Sequence, residues 1–125
     1  MRAQRILIVE DDADLRRLFR MALSLAGYAV EETGDGIDAL RLIENHPPDL
    51  VVLDLILRTL DGVSVRQELA SRVLTSRIPV VVVTGSTVDT SALDVACVLH
   101  KPVDPDDLVR AVTHCLRTPG PSALA

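Results

Sequence analysis

Aromatic residues are almost absent from this sequence, which has one Tyr (Tyr28), one Phe (Phe19) and no Trp in 125 residues. A hydrophobic core must therefore be packed from Val, Leu, Ile and Ala side chains. So few rings provide no platform on which the bases of a single-stranded nucleic acid could stack. The net charge of -5 points the same way, because phosphate backbones are bound by clustered Lys and Arg. We expect no direct nucleic-acid partner.

Cysteine is also scarce. Cys97 and Cys115 do not have the spacing of a metal site, and two cysteines do not make a disulfide framework. We interpret them as two small apolar side chains in a reducing compartment. No apolar run is long enough to span a membrane, and residues 1–5 lead into a short run that does not resemble a signal-peptide core. We expect a cytoplasmic protein with no membrane partner.

The remaining composition is that of an ordinary globular domain, with 48% hydrophobic and 25% charged residues. At 125 residues the chain is long enough to bury a core without disulfides or metals. We assign one domain to residues 1–117. Residues 118–125 contain two prolines and a glycine, and we expect them to form a flexible tail or the start of a linker.

The chain is organised around a wholly apolar run at 50–53 that ends directly in Asp54. A short continuous run, preceded by Pro47 and Pro48 and followed by a turn, is typical of a strand buried on both faces of a sheet. Such strands belong to parallel sheets covered by helices, and ligands bind beyond the carboxyl ends of the strands. Further predicted strands lie at 6–9, 28–33, 80–84 and 98–100.

Segments with helical periodicity separate these strands. In the second segment, Ile37, Leu40 and Ile43 are expected to face inward, and the third is expected to extend from Gly62 to about Thr75. Five alternations of strand and helix predict a single doubly wound (βα)5 domain of the α/β class, with a five-stranded parallel sheet in the flavodoxin-like order 2-1-3-4-5. Predicted helix N-caps are Asp12, Asp35 and Asp104.

In this strand order the first and third strands are neighbours, so their ends bring Glu10, Asp11 and Asp54 to one edge of the sheet. Crowded carboxylates either raise a pKa or recruit a cation. Mg²⁺ fits this set better than Ca²⁺, which usually requires more oxygen ligands. The fourth and fifth strands add Thr84 and Lys101. Each group alone has an ordinary structural explanation, such as a turn or a cap, but their joint position at the same strand ends favours a site.

These segments together resemble the response-regulator receiver domain of two-component signalling, a family that includes small chemotaxis regulators. The resemblance covers about residues 4–117, and each motif is weak alone while the set in this order is specific. The motifs are Ile6-Leu7-Ile8-Val9-Glu10-Asp11-Asp12, Val51-Val52-Leu53-Asp54-Leu55 with Asp61-Gly62, Val83-Thr84-Gly85 and Lys101-Pro102.

The resemblance implies that Asp54 is a phosphoacceptor, which takes a phosphoryl group from a histidine kinase or a histidine phosphotransfer protein. It implies that Glu10 and Asp11 bind Mg²⁺ (or Mn²⁺) together with Asp54 and the backbone carbonyl of Ile56. Lys101 would contact the phosphoryl oxygens. The peptide bond between Lys101 and the following proline is expected to be cis, which proline permits at low cost.

Two departures from the family pattern affect the expected response to phosphorylation. The resemblance implies that the Thr84 hydroxyl binds a phosphoryl oxygen. In the family, an aromatic residue at the position of Val98 rotates inward when the threonine binds the phosphoryl group. Valine cannot make that movement. The stretch between Thr84 and Lys101 is also shorter than usual by about one helical turn or more, so we expect a shortened or irregular fourth helix.

Four further positions follow from the resemblance. Ile56 and Ser86 would flank the phosphoryl group and tune its lifetime, and an apolar Ile56 would shield phosphorus from water. Leu15 and Leu18 would lie on the face that meets the phosphodonor, although the spacing of both residues is also that of ordinary core packing.

The expected function is signalling: the domain would catalyse only its own phosphorylation and dephosphorylation, and would switch a protein-interaction surface for a downstream protein. One alternative is a pseudo-receiver that binds proteins without being phosphorylated. A haloacid-dehalogenase-type phosphatase would need a second aspartate two positions after Asp54, where Ile56 stands. Flavin binding is disfavoured because no phosphate-binding Gly/Ser/Thr loop follows the first strand.

Overall fold

A computed structural model describes residues 2–57, 61–71, 76–85 and 95–117. Within these ranges the strands are β1 (Arg5–Val9), β2 (Ala29–Thr33), β3 (Leu50–Leu53), β4 (Val80–Thr84) and β5 (Cys97–His100). The helices in the same ranges are α1 (Ala13–Leu25), α2 (Gly36–Asn45), α3 (Gly62–Ala70) and α4 (Pro105–Arg117).

The five strands form one parallel sheet in the order β2-β1-β3-β4-β5. This arrangement confirms the predicted doubly wound, flavodoxin-like class and its strand order. The helix that was expected to be short or irregular would fall between β4 and β5, in residues 86–94, which lie outside the described ranges. Residues 118–125, the predicted tail, also lie outside them.

Helices cover both faces of the sheet, and the side chains of β1 alternate between them. Ile6 and Ile8 pack with Phe19 of α1 and Leu108 of α4. Leu7 and Val9 pack on the opposite face in a cluster that includes residues of α2 and α3. Because β1, β3 and β4 are covered on both sides, their sequences are continuous apolar runs with no polar alternation.

The helix starts agree with the sequence. The carboxylate of Asp12 accepts hydrogen bonds from the backbone amides of Asp14 and Leu15, both at 3.0 Å, and so caps α1. Asp35 caps α2 in the same way, accepting from the Ile37 amide at 2.8 Å. Asp104 accepts from the second residue of α4 at 2.8 Å.

Two sequence predictions about the helices need correction. Ile37, expected to face inward, is 45% exposed, and Ala39 is fully buried beside Ile43 on the inner side of α2. The third helix was expected to extend to about Thr75, but α3 ends at Ala70, and 72–75 lie outside the described ranges. No helix in the described part of the chain combines the length and hydrophobicity that crossing a membrane would require.

Candidate functional site

Three carboxylates meet at the carboxyl edge of the sheet. Val9 and Leu53, the last residues of β1 and β3, are paired in register, so Glu10 and Asp54 leave the sheet side by side. The Asp54 amide donates a hydrogen bond of 3.0 Å to the carbonyl of Val9, which extends that pairing. One carboxylate oxygen from each of Glu10, Asp11 and Asp54 lies within 4.8 Å of the others.

Lys101 lies between two of these acids. Its ammonium Nζ is 2.6 Å from Glu10 Oε1 and 3.0 Å from Asp54 Oδ2. The Lys101 backbone is fixed where β5 ends, because its amide donates to the Thr84 carbonyl at 2.9 Å. The Lys101–Pro102 peptide bond is cis, as expected. The structure therefore brings the predicted lysine from β5 to the acids of β1 and β3.

Burial makes the charges of this cluster interact strongly. The side chains of Glu10 and Asp54 are only 2% and 5% exposed. Burial raises the pKa of Glu10 from 4.5 to about 7, an effect that the neighbouring Lys101 ammonium reduces and the charge of Asp54 increases. Burial acts to lower the pKa of Lys101, but contacts with Glu10 and Asp54 outweigh it, so that this pKa is raised.

The hydrogen bonding of Glu10 suits a metal ligand. Its Oε2 accepts from the Asp12 amide at 3.1 Å. Its Oε1 is buried, forms an ion pair with the Lys101 ammonium, and has no hydrogen-bond partner among the described residues. A buried anionic oxygen with no fixed donor, beside two more carboxylates, fits a hard divalent cation such as Mg²⁺. The acids Glu10, Asp11 and Asp54 could hold such an ion.

The other predicted site residues take three different environments. The Ile56 amide donates to Asp54 Oδ1 at 3.0 Å, while its side chain is 56% exposed beside the site. Thr84 is fully buried at the end of β4. The side chain of Val98 is partly buried against the core cluster on the α2–α3 face of the sheet. Ser86 lies outside the described residues.

The two leucines proposed for the partner face differ in exposure. Leu15 is partly buried against the core cluster that contains Phe19. Leu18 is 44% exposed, so the core-packing alternative is wrong for this residue. Leu18 is therefore on the surface of α1.

Arg16 was not among the predicted site residues, yet its Nη1 donates a 2.8 Å hydrogen bond to the backbone carbonyl of Glu10. Helical spacing could have separated it from the adjacent Arg17, because Arg16 lies three residues before Phe19 and seven before Leu23, on the buried side of α1. Arg17 is 72% exposed and lies 3.8 Å from Asp14, whereas the side chain of Arg16 is 22% exposed. The fold adds what that spacing cannot show, which is the contact of Arg16 with the Glu10 carbonyl.

Comparison with known protein families gives a match over most of the chain. The model of the response regulator receiver domain matches residues 6–113. "Response regulator MprA" of Mycobacterium sp. (strain KMS) is 49% identical over 67 residues, which are 54% of this chain and 29% of that protein. "Probable transcriptional regulator ycf27" of Guillardia theta is 32% identical over 127 residues, which cover 98% of this chain and 49% of that protein. The chain thus spans half or less of the length of these curated relatives.

Solved structures give the same result. A putative response regulator from Chloroflexus aurantiacus J-10-fl superposes with a TM-score of 0.86 at 28% identity, covering 94% of this chain and 100% of the other. The receiver domain of a sensor histidine kinase from Pseudomonas aeruginosa PAO1 also gives a TM-score of 0.86, at 26% identity, covering 94% and 100% of the two chains. That structure has a magnesium ion coordinated in its active site cleft.

Proposed function

The chain belongs to the response regulator receiver domain family of two-component signalling, and from this we propose that it accepts a phosphoryl group on Asp54 from a phosphohistidine protein. The observation that supports this most directly is the contact of one buried carboxylate, Asp54, with the Lys101 ammonium at 3.0 Å, next to Glu10 and Asp11. Phosphoryl transfer requires positioning and charge neutralisation above all, and this cluster supplies both.

In the proposed reaction, an Asp54 carboxylate oxygen forms a bond to phosphorus while the bond from phosphorus to the donor imidazole nitrogen breaks. The imidazole leaves and takes up a proton, and Asp54 becomes an acyl phosphate. The Ile56 amide fixes the orientation of Asp54 through Oδ1. Lys101 exchanges its contact with Asp54 Oδ2 for one with a phosphoryl oxygen, which offsets the negative charge of the transferred group.

The proposed metal ligands are the carboxylates of Glu10, Asp11 and Asp54, with the backbone carbonyl of Ile56. When bound, Mg²⁺ (or Mn²⁺) would supply positive charge next to the phosphoryl oxygens. The ion would also offset the mutual repulsion of the three acids, only one of whose charges Lys101 can balance.

The proposed output is a switch of a protein-interaction surface. The Thr84 hydroxyl would bind the phosphoryl group, and the rearrangement would pass through the region of Val98. Leu18, exposed on α1 beside Leu15, would contact the histidine kinase or phosphotransfer protein. A downstream protein target, a cytoplasmic location and a domain ending near residue 117 belong to the same proposal.

Incubation with acetyl phosphate and Mg²⁺, followed by intact-mass measurement, tests the phosphoacceptor. We expect the wild type to gain the mass of one phosphoryl group, and Asp54→Asn or chelation of Mg²⁺ to abolish the gain. Asp14→Asn is the matched control, because Asp14 is an α1 carboxylate whose side chain is 96% exposed, and it should be labelled like the wild type. Undiminished labelling of Asp54→Asn would place the acceptor elsewhere.

A second candidate function is a pseudo-receiver that binds proteins without phosphorylation. The observation that favours it is Val98, which packs partly buried where the family expectation is a mobile aromatic residue. Absence of labelling in the wild type, with Mg²⁺ binding retained, would support this candidate. The phosphatase alternative has no such support, because the position that would hold its general acid is the isoleucine Ile56.

A further inference from the structure

We propose that Arg16 is a positioning residue for the metal-binding acids: its guanidinium holds the Glu10–Asp11 peptide in the orientation that aims both carboxylates at the site. This inference rests on the proposed function, since it assigns a role toward the Mg²⁺ that Glu10 and Asp11 would bind. Arg16 contacts none of the three carboxylates of that site by hydrogen bond; its contact is with the backbone carbonyl of Glu10, at 2.8 Å.

The contact is made at the point where the chain leaves the sheet. The Glu10 amide still donates to the Thr33 carbonyl of β2 at 3.0 Å, so this side of the residue is fixed by the sheet. Its carbonyl belongs to the peptide bond that leads to Asp11, and α1 begins only at Ala13. The rotation of this peptide determines where the two carboxylates point relative to each other. The guanidinium of Arg16 fixes that rotation.

Arg16 is itself held from a second side. It lies in the first turn of α1, and helical side chains point back toward the helix N-terminus, which directs the guanidinium to Glu10. Its Nε is 3.8 Å from Glu32 Oε1, and Nη1 of Arg20 approaches the same oxygen at 3.6 Å. Glu32 lies on β2, next to β1. The guanidinium thus connects β2 with the peptide that carries the acids.

Gly34 supplies the space for this contact. A Cβ atom at this position would lie 2.9 Å from Arg16 Nη1, 3.4 Å from the Glu10 carbonyl oxygen and 3.5 Å from Asp11 Cα. Only the first distance is too short, and it is to the end of a flexible side chain. Gly34 does not have a positive φ angle, so alanine is compatible with its backbone. Alanine would therefore displace the guanidinium and leave the backbone almost unchanged.

Titration of the full chain with Mg²⁺ alone, monitored through amide chemical shifts, tests the proposal without phosphorylation. We expect Arg16→Gln to raise the Kd for Mg²⁺ about tenfold, as is usual for groups that orient metal ligands. Arg16→Lys keeps the charge but not the planar donor geometry, and we expect a similar loss. Arg17→Gln is the matched control: it removes the same charge from the adjacent, exposed position and should change the Kd less than twofold.

The charge of Arg16 by itself would have the opposite effect. A cation near the acids competes with Mg²⁺, so if charge dominated, Arg16→Gln would bind Mg²⁺ more tightly than the wild type. Tighter binding, or an unchanged Kd in both Arg16 variants, would overturn the proposal. In the acetyl phosphate reaction, the phosphorylation rate of Arg16→Gln should approach the wild-type rate at saturating Mg²⁺. If Arg16 acted directly on the phosphoryl group, saturating Mg²⁺ would not restore the rate.

Gly34→Ala gives an independent test through the same contact. We expect it to raise the Kd for Mg²⁺ three- to tenfold, and we expect the double variant with Arg16→Gln to be no weaker than Arg16→Gln alone, because the added methyl then has no guanidinium to displace. Additive effects would show that Gly34 acts by another route and would count against the proposal. If the wild type binds Mg²⁺ and is phosphorylated, but these variants bind Mg²⁺ with the wild-type Kd, only this inference fails. If the wild type binds no Mg²⁺, the proposed function fails as well.

Discussion

Lys101 Nζ lies 3.0 Å from Oδ2 of Asp54, a residue 47 positions earlier in the chain. Lys101 is also the only lysine of the sequence, the other basic residues being arginines and histidines. An ammonium group can leave one carboxylate for a phosphoryl oxygen without losing its charge, and its compact charge does not require the planar geometry of a guanidinium. This pair is therefore where charge would be rearranged when Asp54 is phosphorylated.

Replacing Lys101 by methionine should separate its structural and chemical effects. The variant leaves Glu10 and Asp54 buried without a cation, so we expect the free energy of unfolding in metal-free buffer to fall by about 3 kcal/mol. Mg²⁺ should restore more stability to this variant than to the wild type. Phosphorylation by acetyl phosphate should slow at least about tenfold while the label stays on Asp54. Urea titrations with and without Mg²⁺, and peptide mapping, measure these effects; an unchanged rate would exclude Lys101 from the reaction.

Because the chain has one lysine, its side chain can be followed directly. In protein labelled with nitrogen-15 lysine, a single ammonium signal is expected. Addition of beryllofluoride, a phosphoryl mimic, with Mg²⁺ should shift this signal, since Lys101 would exchange Asp54 for the mimic. Asp54→Asn should show no such shift. A signal that does not move in the wild type, under conditions where backbone amides near Asp54 do, would contradict the proposed contact.

The raised pKa of Glu10 predicts opposite pH dependences for stability and for metal binding. In the metal-free folded state Glu10 has a pKa of about 7 against an ordinary 4.5, so between these values the folded state binds the proton more tightly than the unfolded state. The contribution of Glu10 to stability is thus present at low pH and is lost as the pH rises through about 7. Mg²⁺ requires the deprotonated carboxylate, so its affinity should increase over the same interval.

The comparison with Glu10→Gln isolates this group. Unfolding of wild type and variant in chelator at several pH values should give a stability difference that changes between about pH 4.5 and pH 7 and levels off at higher pH. The Mg²⁺ affinity of the variant should be lower and should lose the dependence of the wild type in this range. If the wild type binds Mg²⁺ with the same affinity at pH 6 and pH 8, then Mg²⁺ binding does not displace a proton from the Glu10 carboxyl group.

Ile56 should control the lifetime of the phosphoryl group. Its side chain is 56% exposed, while its amide holds Asp54, so an exchange of the side chain should leave the carboxylate in place. Asparagine at this position can hydrogen-bond an attacking water, and we expect Ile56→Asn to dephosphorylate several times faster. Ile56→Val, which stays apolar, is the control. The decay of the labelled mass after removal of acetyl phosphate measures the rate, and an equal or slower decay in Ile56→Asn would refute the shielding role.

Leu18 provides a test of the partner face that is separate from chemistry. Because it is 44% exposed on α1, Leu18→Glu should cost little stability. We expect the variant to be labelled normally by acetyl phosphate, which needs no docking surface, but at least several times more slowly by a phosphohistidine protein. Arg117→Gln, at the C-terminal end of α4, also changes the net charge by −1 and serves as a charge control. Equal loss with both donors would show that the substitution damages the site itself.

Much of this protein could be predicted from the sequence because the informative signals are local. Strands buried on both faces must be continuous apolar runs, and the polar residue that ends each run is visible without a structure. This is why Glu10, Asp54 and Thr84, at the ends of the buried runs, and Lys101, directly after the last strand, could be identified from the chain alone. The helix caps are equally local, since each carboxylate contacts amides two or three residues ahead.

What the sequence could not determine depends on how separate segments lie against each other. Ile37 has the spacing of an inward residue yet is exposed. Helical periodicity predicts which face of the helix is apolar, but not how much of that face neighbouring elements bury. Burial, not residue type, gives Glu10 its raised pKa. The contact between Arg16 and the Glu10 carbonyl needs the open space at Gly34, on another loop. The sequence by itself determined which groups end the strands; the tertiary structure decided their distances, their exposure and what holds them, because those depend on packing between residues far apart in the chain.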